Sequence, residues 1–570
     1  MPTRSLLVER DVEMTTRDGV ILRADVYRAH DAENLPVLLQ RTPYGKGVSA
    51  VAFALTAAER GYAVVIQDTR GRWASEGDGT PFIHEKADGY DAVEWVAAQP
   101  WANGCVGMFG GSYVGYTQLA AASQQPPSLK TIVPTVTFCD PYGLIYPQGA
   151  LALGLLVSWG LLTQVQMAII RHPDAAERER LTAELVTAID GMRDGETFRH
   201  LPLETIPLMG RGEVTSFIAD MLDRADPEDP YWDQVRVEPA SITVPAFHIG
   251  GWYDVFARNT LSDFSAIRAA HGPEPFQKLL VGPWLHGPVS GLVGDVDFGF
   301  AAYDAAVLTD EQQLRWFDHW LRDVDNGILE EAPVRYFAMG ENQWREAHTW
   351  PPRDADGTPK APPVRLYLHS GGAANSLHGD GVLSFDPPQA PVPGGPGGAG
   401  EPVDSFVDDP RNPVPTRGGG LCCWSGQLAA GAYDQCEIEA RPDVLVYTSA
   451  ALQEELEITG WVRVQLWAAT TSSGADFTAK LVDVGSCGYA RNVADGIVRV
   501  TDATPHAVAS YTIELGPTSN VFKAGHSVRL EISSTNFPKY ARNPREGVAV
   551  QTVYHDAAHP SVLEGGKADA

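Results

Sequence analysis

Val106-Gly107-Met108-Phe109-Gly110-Gly111-Ser112-Tyr113-Val114-Gly115 is the stretch on which the fold reading turns. A short apolar run ends in small residues around a serine, and a helical pattern follows over residues 116–122. This is the sequence form of a nucleophile elbow, a tight strand-to-helix turn that lifts a serine hydroxyl clear of the backbone. Gly110 and Gly111 permit the turn because they lack a Cβ. Gly115 lets the new helix lie close to neighbouring strands. Val114 stands where plain G-x-S-x-G has its second glycine, and the glycine follows one residue later. Glycine-flanked serines are common in loops, so the elbow draws its weight from its surroundings.

Those surroundings alternate. Residues 37–40 and 63–67 are continuous apolar runs, as expected of strands buried on both faces. Residues 51–60 and 87–98 read as helices, and 131–134 as a further strand. This is the rhythm of a doubly wound α/β sheet. It breaks over residues 149–222, which are helical in pattern, and resumes with strands at 244–250 and 278–282. A helix at 310–321 and a strand at 334–339 follow. Beyond about residue 351, strand-like runs dominate, at 364–369, 445–447, 462–468, 477–482, 511–515 and 528–533. They read as an antiparallel β-sandwich, with a Pro/Gly-rich surface loop at 387–402. The division expected is an α/β domain at 1–145 and 241–352, a helical insertion capping it at 146–240, and a β-sandwich at 353–570.

A chain of 570 residues suggests two to four domains. Hydrophobic residues at 44% and charged residues at 20% describe an ordinary globular composition. A formal charge of −29 repels phosphate backbones and argues against a nucleic-acid partner. The longest apolar stretch, 149–162, is too short to span a membrane, so no membrane association is expected. Residues 1–14 carry Arg4, Glu9, Arg10, Asp11 and Glu13 and do not read as a secretory signal, so the expected location is the cytoplasm. Cys105, Cys139, Cys422, Cys423, Cys436 and Cys487 show no zinc-ligand spacing. They are expected to be free thiols, mainly buried, with adjacent Cys422 and Cys423 packed in a turn.

Acyl transfer needs a nucleophile, a base, an orienting carboxylate and an oxyanion hole. Ser112 is the nucleophile candidate. Asp254 follows a strand in Ile249-Gly250-Gly251-Trp252-Tyr253-Asp254, and His286 follows another in Leu280-Val281-Gly282-Pro283-Trp284-Leu285-His286. Loops at the carboxyl ends of strands are where α/β sheets place their chemistry. The chain order Ser, Asp, His is that of α/β-hydrolases. Each residue alone has a plainer reading: a turn serine, a cap for the helix near Phe256, a packing histidine. Three placements in the right order make the joint coincidence improbable.

These motifs resemble the cocaine esterase-like branch of the X-Pro dipeptidyl-peptidase (S15) and α-amino acid ester hydrolase superfamily. The resemblance includes Arg41-Thr42-Pro43-Tyr44, Gln67-Asp68-Thr69-Arg70-Gly71-Arg72, Gly110-Gly111-Ser112-Tyr113-Val114-Gly115, Gly250-Gly251-Trp252-Tyr253-Asp254 and Gly282-Pro283-Trp284-Leu285-His286. Towards the C-terminus it adds Asp476-Phe477-Thr478-Ala479-Lys480-Leu481 and Asn536-Phe537-Pro538-Lys539-Tyr540. Gly-x-Ser-Tyr-x-Gly is this family's elbow. The resemblance implies an α/β-hydrolase core with an inserted helical cap and a C-terminal jelly roll. It implies Ser112 as nucleophile, Asp254 as orienter and His286 as general base, with the Tyr44 hydroxyl and the Tyr113 N–H as the oxyanion hole. Asp68 and Arg70 read as a structural ion pair or hydrogen-bonded turn, and Lys480 and Asp483 as scaffold.

For the acyl pocket the resemblance implies Phe256, with Trp159 from the cap and Leu421 from the jelly-roll loop. That loop, Gly418-Gly419-Gly420-Leu421-Cys422-Cys423-Trp424, departs from the family's pattern. The acidic residues by which α-amino acid ester hydrolases hold an ammonium are replaced by Val255-Phe256-Ala257-Arg258, and Arg258 could favour a carboxylate-bearing acyl group. The expected activity is hydrolysis of carboxylic esters or amides of small molecules, with no metal or cofactor. Acyl transfer, X-Pro dipeptidyl-peptidase activity and a catalytically silent jelly-roll binding protein are the alternatives. A homodimer is compatible with the sequence.

Overall fold

A computed structural model describes residues 5–273, 276–354, 356–389, 403–423, 426–545 and 547–567. Strands with every residue buried need cover on both faces, and such strands make the middle of the first sheet. They are β3 (Leu35–Thr42), β4 (Ala63–Asp68) and β7 (Ala246–Tyr253). With β1 (Leu6–Thr15), β2 (Ile21–Ala29), β5 (Ala102–Gly111), β6 (Leu129–Thr135), β8 (Gln277–Leu285), β9 (Val334–Ala338) and β10 (Gln343–Ala347), they form a ten-stranded sheet ordered β1-β2-β4-β3-β5-β6-β7-β8-β9-β10. From β4 to β9 every neighbouring pair is parallel.

Period-two alternation assigns the two faces. Leu38, Val64, Ile66 and Phe109 pack with Phe53 and Ala54 of α1 (Val51–Glu59) and with Leu314 and Phe317 of the later helix Thr309–Arg322. Val37, Leu39, Val65 and Met108 face the other way, onto Val93 and Val96 of α2 (Glu85–Ala97) and Leu119 of α3 (Tyr113–Ser123). The sequence reading missed β1, β2 and β10. In β1 charged residues interrupt the apolar ones, and the strand lies at the open edge with most of its residues partly or fully exposed.

Between β6 and β7 the chain runs through helices from Pro141–Ile145 to Pro230–Val235. The apolar stretch read as ending at 162 continues as one helical run, Leu153–Arg171, with a π-helical turn at Gly160–Val165. Its mean hydropathy of 1.7 and length meet the composition of a membrane span, but 56% of it is buried inside the protein. Leu153, Leu156, Val157, Leu161 and Val165 are buried in the same apolar core as Tyr113 and Phe138, which makes it the central helix of the insertion. The π turn has a local account. Thr163 Oγ1 donates to Trp159 O at 2.6 Å, and Arg72 donates to Thr163 O at 3.3 Å and Gln164 Oε1 at 2.6 Å.

Apart from a two-stranded hairpin at Leu292–Val293 and Val296–Asp297, the remaining strands form an eleven-stranded antiparallel-rich sheet folded as a β-sandwich, its longest ladder between Leu456–Thr470 and Ala509–Phe522. One apolar core runs from Tyr253, Leu279 and Val281 of the first sheet into Val464, Phe477 and Leu530 of the sandwich. Tyr253 also donates its hydroxyl to Asn492 O at 2.7 Å. The Pro/Gly-rich stretch lies largely at 390–402, outside the described residues.

His248 sits inside β7, fully buried, against Gln277 at 3.0 Å. Burial pushes its imidazole down to about 4. An unfolded chain takes up that proton near the ordinary value of about 6.5. Stability from this group is therefore full above pH 6.5 and declines as the pH falls from there to about 4, where the folded state is protonated too. Replacing His248→Gln is expected to flatten the fall of the thermal midpoint across that window. An unchanged slope would contradict the assignment.

Candidate active site

The elbow places Ser112 at the tip of β5 with φ 64° and ψ −131°, a conformation costly for any residue with a side chain. Its surroundings over-determine it. Ser112 N–H donates to Thr135 O at 3.0 Å, and Ser112 O accepts from Gly115 N–H at 2.8 Å, Tyr116 N–H at 3.0 Å and Thr137 Oγ1 at 2.8 Å. Gly110 takes a φ of +124°, and a Cβ there would lie 2.4 Å from Val114 Cγ1. A Cβ on Gly115 would lie 2.6 Å from Thr137 Cβ, so only glycine lets α3 settle against the loop after β6. Gly111 contributes proximity rather than a special φ, its Cβ position being 3.3 Å from Thr135 O.

Asp254 and His286, from the ends of β7 and β8, meet Ser112. His286 Nε2 is 3.0 Å from Ser112 Oγ and Nδ1 is 3.0 Å from Asp254 Oδ1. An ionised carboxylate only accepts, so Nδ1 carries the proton and Nε2 is left to accept from Ser112. Asp254 Oδ1 also accepts from Phe256 N–H at 2.8 Å. Asp254 does not cap the helix Ala257–His271, whose N-cap Phe256 has no side-chain capping bond; its bond to the Phe256 N–H closes the turn before that helix and fixes the carboxylate's rotamer. Phe256 stands edge-to-face on the His286 ring, centroids 4.8 Å apart and planes at 83°.

Tyr44 and Tyr113 flank the serine differently. Burial pushes the Tyr44 phenol up, and hydrogen bonds involving Trp159 and Ser112 pull the other way, so it remains a neutral donor beside Ser112. Its oxygen accepts from Trp159 Nε1–H at 3.2 Å. Tyr113 is the first residue of α3, so its N–H has no intrahelical acceptor and lies at the positive end of the helix dipole. Its phenol points elsewhere, donating to Glu85 at 3.0 Å and accepting from Phe82 N–H at 2.8 Å. Glu85 in turn is paired with the fully buried Arg41 at 2.7 Å.

Asp68 and Arg70 are not partners of each other. Asp68 accepts from the N–H groups of Lys46 at 2.7 Å and Ala74 at 3.2 Å, closing the turn, while Arg70 pairs with Asp88 at 2.6 Å and Asp18 at 2.7 Å. In the sandwich, Lys480 pairs with Glu531 at 3.0 Å and Asp483 with Arg491 at 2.9 Å.

A cleft of about 450 Å³ including its mouth opens beside Ser112, with almost entirely apolar walls. Trp159 and Phe256 line it, as the sequence suggested, together with Phe82, Phe138, Phe217 and Leu155. The sequence reading missed these four because they come from separated segments that only the fold assembles. Leu421 is corrected. It bridges to the Asp254 backbone and faces a different and larger cavity, of about 1020 Å³ including its mouth, while Cys422 borders both spaces and Cys423 reaches the cleft. Arg258 lines that other cavity too and is ion-paired with Glu514, so it does not present its charge to the cleft. The expectation of six free thiols is corrected as well. Cys422 and Cys423 form a disulfide, the positive φ of 76° at Cys423 swinging the two side chains together. Of the free cysteines only Cys139 is buried.

Comparison with known proteins gives two family matches. The X-Pro dipeptidyl-peptidase (S15 family) matches residues 18–288, and the X-Pro dipeptidyl-peptidase C-terminal non-catalytic domain matches residues 326–564. The chain is 34% identical over 585 residues to cocaine esterase of Rhodococcus sp. (strain MB1 Bresler), covering 97% of each. An aminopeptidase structure from the archaeon Thaumarchaeota archaeon superposes with a TM-score of 0.76 at 23% identity, over 98% of this chain and 96% of that one. An α-amino acid ester hydrolase structure gives 0.75 at 23% identity, over 99% and 96%. Both share the fold.

Replacing Asp254→Asn removes the fixed tautomer of His286, and kcat is expected to fall about 10⁴-fold with the fold intact. Replacing Tyr44→Phe is expected to lower kcat about 10²–10³-fold with little change in KM. Steady-state kinetics on p-nitrophenyl butyrate checks both; a Tyr44→Phe variant with normal kcat would exclude the phenol from the oxyanion hole.

Proposed function

The chain belongs to the X-Pro dipeptidyl-peptidase (S15) family and is a serine hydrolase of the esterase kind, and from that premise we propose that it cleaves esters of apolar carboxylic acids through an acyl-enzyme on Ser112. The observation that carries this is His286 held at 3.0 Å from both Ser112 Oγ and Asp254 Oδ1, with Ser112 in the wall of an apolar cleft. Ser112 Oγ attacks the ester carbonyl while His286 Nε2 takes its proton. Asp254 stabilises the imidazolium that forms. The carbonyl oxygen, now negative, is met by the Tyr44 hydroxyl and the Tyr113 N–H. His286 returns the proton to the departing alcohol, then draws one from the water that releases the acid.

The cleft supports the substrate class. Trp159 lies nearly parallel to Phe82 (10°, centroids 6.4 Å) and to Tyr113 (14°, 6.1 Å), giving flat aromatic walls to an acyl chain or ring. Among the described residues lining it none is charged, so an acyl carboxylate or a peptide ammonium would be desolvated there without a partner. This disfavours both glutaryl-type esters and the exopeptidase reading.

A fluorophosphonate should label Ser112 in the wild type and leave Ser112→Ala unlabelled. The same protein should hydrolyse p-nitrophenyl butyrate and benzoate with kcat/KM at least about tenfold above the p-nitrophenyl monoester of glutaric acid, because each unpaired buried charge costs several kcal/mol. Equal or reversed preference would overturn the apolar-acyl assignment, and labelling that persists in Ser112→Ala would overturn the nucleophile.

A further inference from the structure

The cysteine pair has no part in that chemistry, yet it borders it. Cys422 and Cys423 line the cleft, and their sulfurs and a ring nitrogen of His286 all lie within 4.8 Å of one another. As a disulfide the two sulfurs are poor ligands. As thiolates they are soft donors that select zinc-group and other soft cations, and imidazole suits the same metals. We propose that the reduced pair and His286 form a three-ligand site for a soft divalent cation of the zinc and cadmium kind, and that occupancy switches the hydrolase off. The inference rests on the role given to His286 above.

Geometry supports it in three ways. In a tetrahedral site, metal–sulfur bonds of about 2.3 Å and metal–nitrogen bonds of about 2.0 Å put ligand atoms about 3.5–3.8 Å apart. The present spread of up to 4.8 Å leaves about an ångström to close between sulfur and nitrogen, while the two sulfurs, bonded to each other in the disulfide, separate on reduction. The loop carrying the sulfurs begins Gly418-Gly419-Gly420, where Gly419 exchanges backbone hydrogen bonds with Gly431 at 2.8 and 3.0 Å, so the loop is held in place and the closing movement falls to the cysteine side chains. Its register is meanwhile fixed by the bridge between Leu421 and Asp254, which keeps the pair beside the triad. Finally, Nδ1 of His286 already faces the Asp254 carboxylate at 3.0 Å, the partner that metal-binding histidines commonly use to orient the other nitrogen. That other nitrogen is Nε2, the atom that must take the Ser112 proton.

The balance is simple. A dithiol supplies two electrons and its two thiol protons and ends as a cyclic disulfide, or a phosphine supplies the two electrons while one water gives both protons and the oxygen of the phosphine oxide; either way the disulfide opens to two thiols. Cation binding then releases the two thiol protons. The cation occupies the Nε2 lone pair, and removing general-base function is worth about 10²–10⁴ in rate.

The test uses the full chain reduced with a phosphine, freed of reductant under argon and titrated with Cd²⁺. Expected is a cadmium–thiolate charge-transfer band that saturates while p-nitrophenyl butyrate turnover falls about 10²-fold, both reversed by EDTA. Unreduced protein and the Cys422→Ser/Cys423→Ser double variant should lack that band and keep their own metal-free turnover in Cd²⁺. Each protein is compared with itself, so a lower starting rate in the variant does not matter, and the variant subtracts binding at the other four cysteines. No mass gain of two hydrogens on reduction, a band without inhibition, or equal inhibition of the double variant would each overturn the site. If no ester turns over even without metal, the function reading fails, while the charge-transfer band still decides the metal site.

Discussion

Everything at this site hangs on one strained residue. Ser112 holds a positive φ at the junction of β5 and α3, where a side chain costs about 1–3 kcal/mol. The strain aims the hydroxyl out of the sheet and brings the first N–H of α3 alongside it. It is held by hydrogen bonds from two directions, the loop after β6 and the first turn of α3. Gly110 and Gly115 remove the side chains that would prevent that approach. Once the turn is set, the ends of β7 and β8 deliver Asp254 and His286, because parallel neighbours end on the same side of the sheet.

The other two layers act through this point. The insertion supplies Trp159, whose indole N–H meets the Tyr44 hydroxyl, so a cap helix orients the phenol proposed as an oxyanion donor as well as walling the cleft. The β-sandwich contributes a loop that pairs with the backbone of Asp254 and shares a continuous core with the first sheet. The sandwich thus touches the residue that orients the His286 ring directly, through the Leu421 bridge to the Asp254 backbone.

How much of this was legible follows from where the information lies. Ser112, Asp254 and His286 each end a buried apolar run, and the alternation of such runs with helices is local, so they could be found in chain order. The aromatic cleft could not. Phe82, Phe138 and Phe217 lie in different segments, and nothing local distinguishes them from core aromatics. Arg258 looked available for a substrate charge because its partner, Glu514, lies far along the chain in another layer. Leu421 and the cysteines were separable only by register: the residue that bridges to Asp254 turns away from the cleft, Cys422 borders both spaces and Cys423 turns into the cleft.

The central claim is that Ser112 carries the acyl group during turnover, with His286 drawing its proton. Rapid-quench peptide mapping of the enzyme mixed with excess p-nitrophenyl benzoate, read alongside the initial release of p-nitrophenol, tests it most directly. The account predicts that benzoyl accumulates on the peptide containing Ser112 at the expense of free enzyme, and that neither the adduct nor the release forms when His286 is replaced by alanine. A benzoyl group found on any other residue, or rapid release without acylation of Ser112, would contradict it.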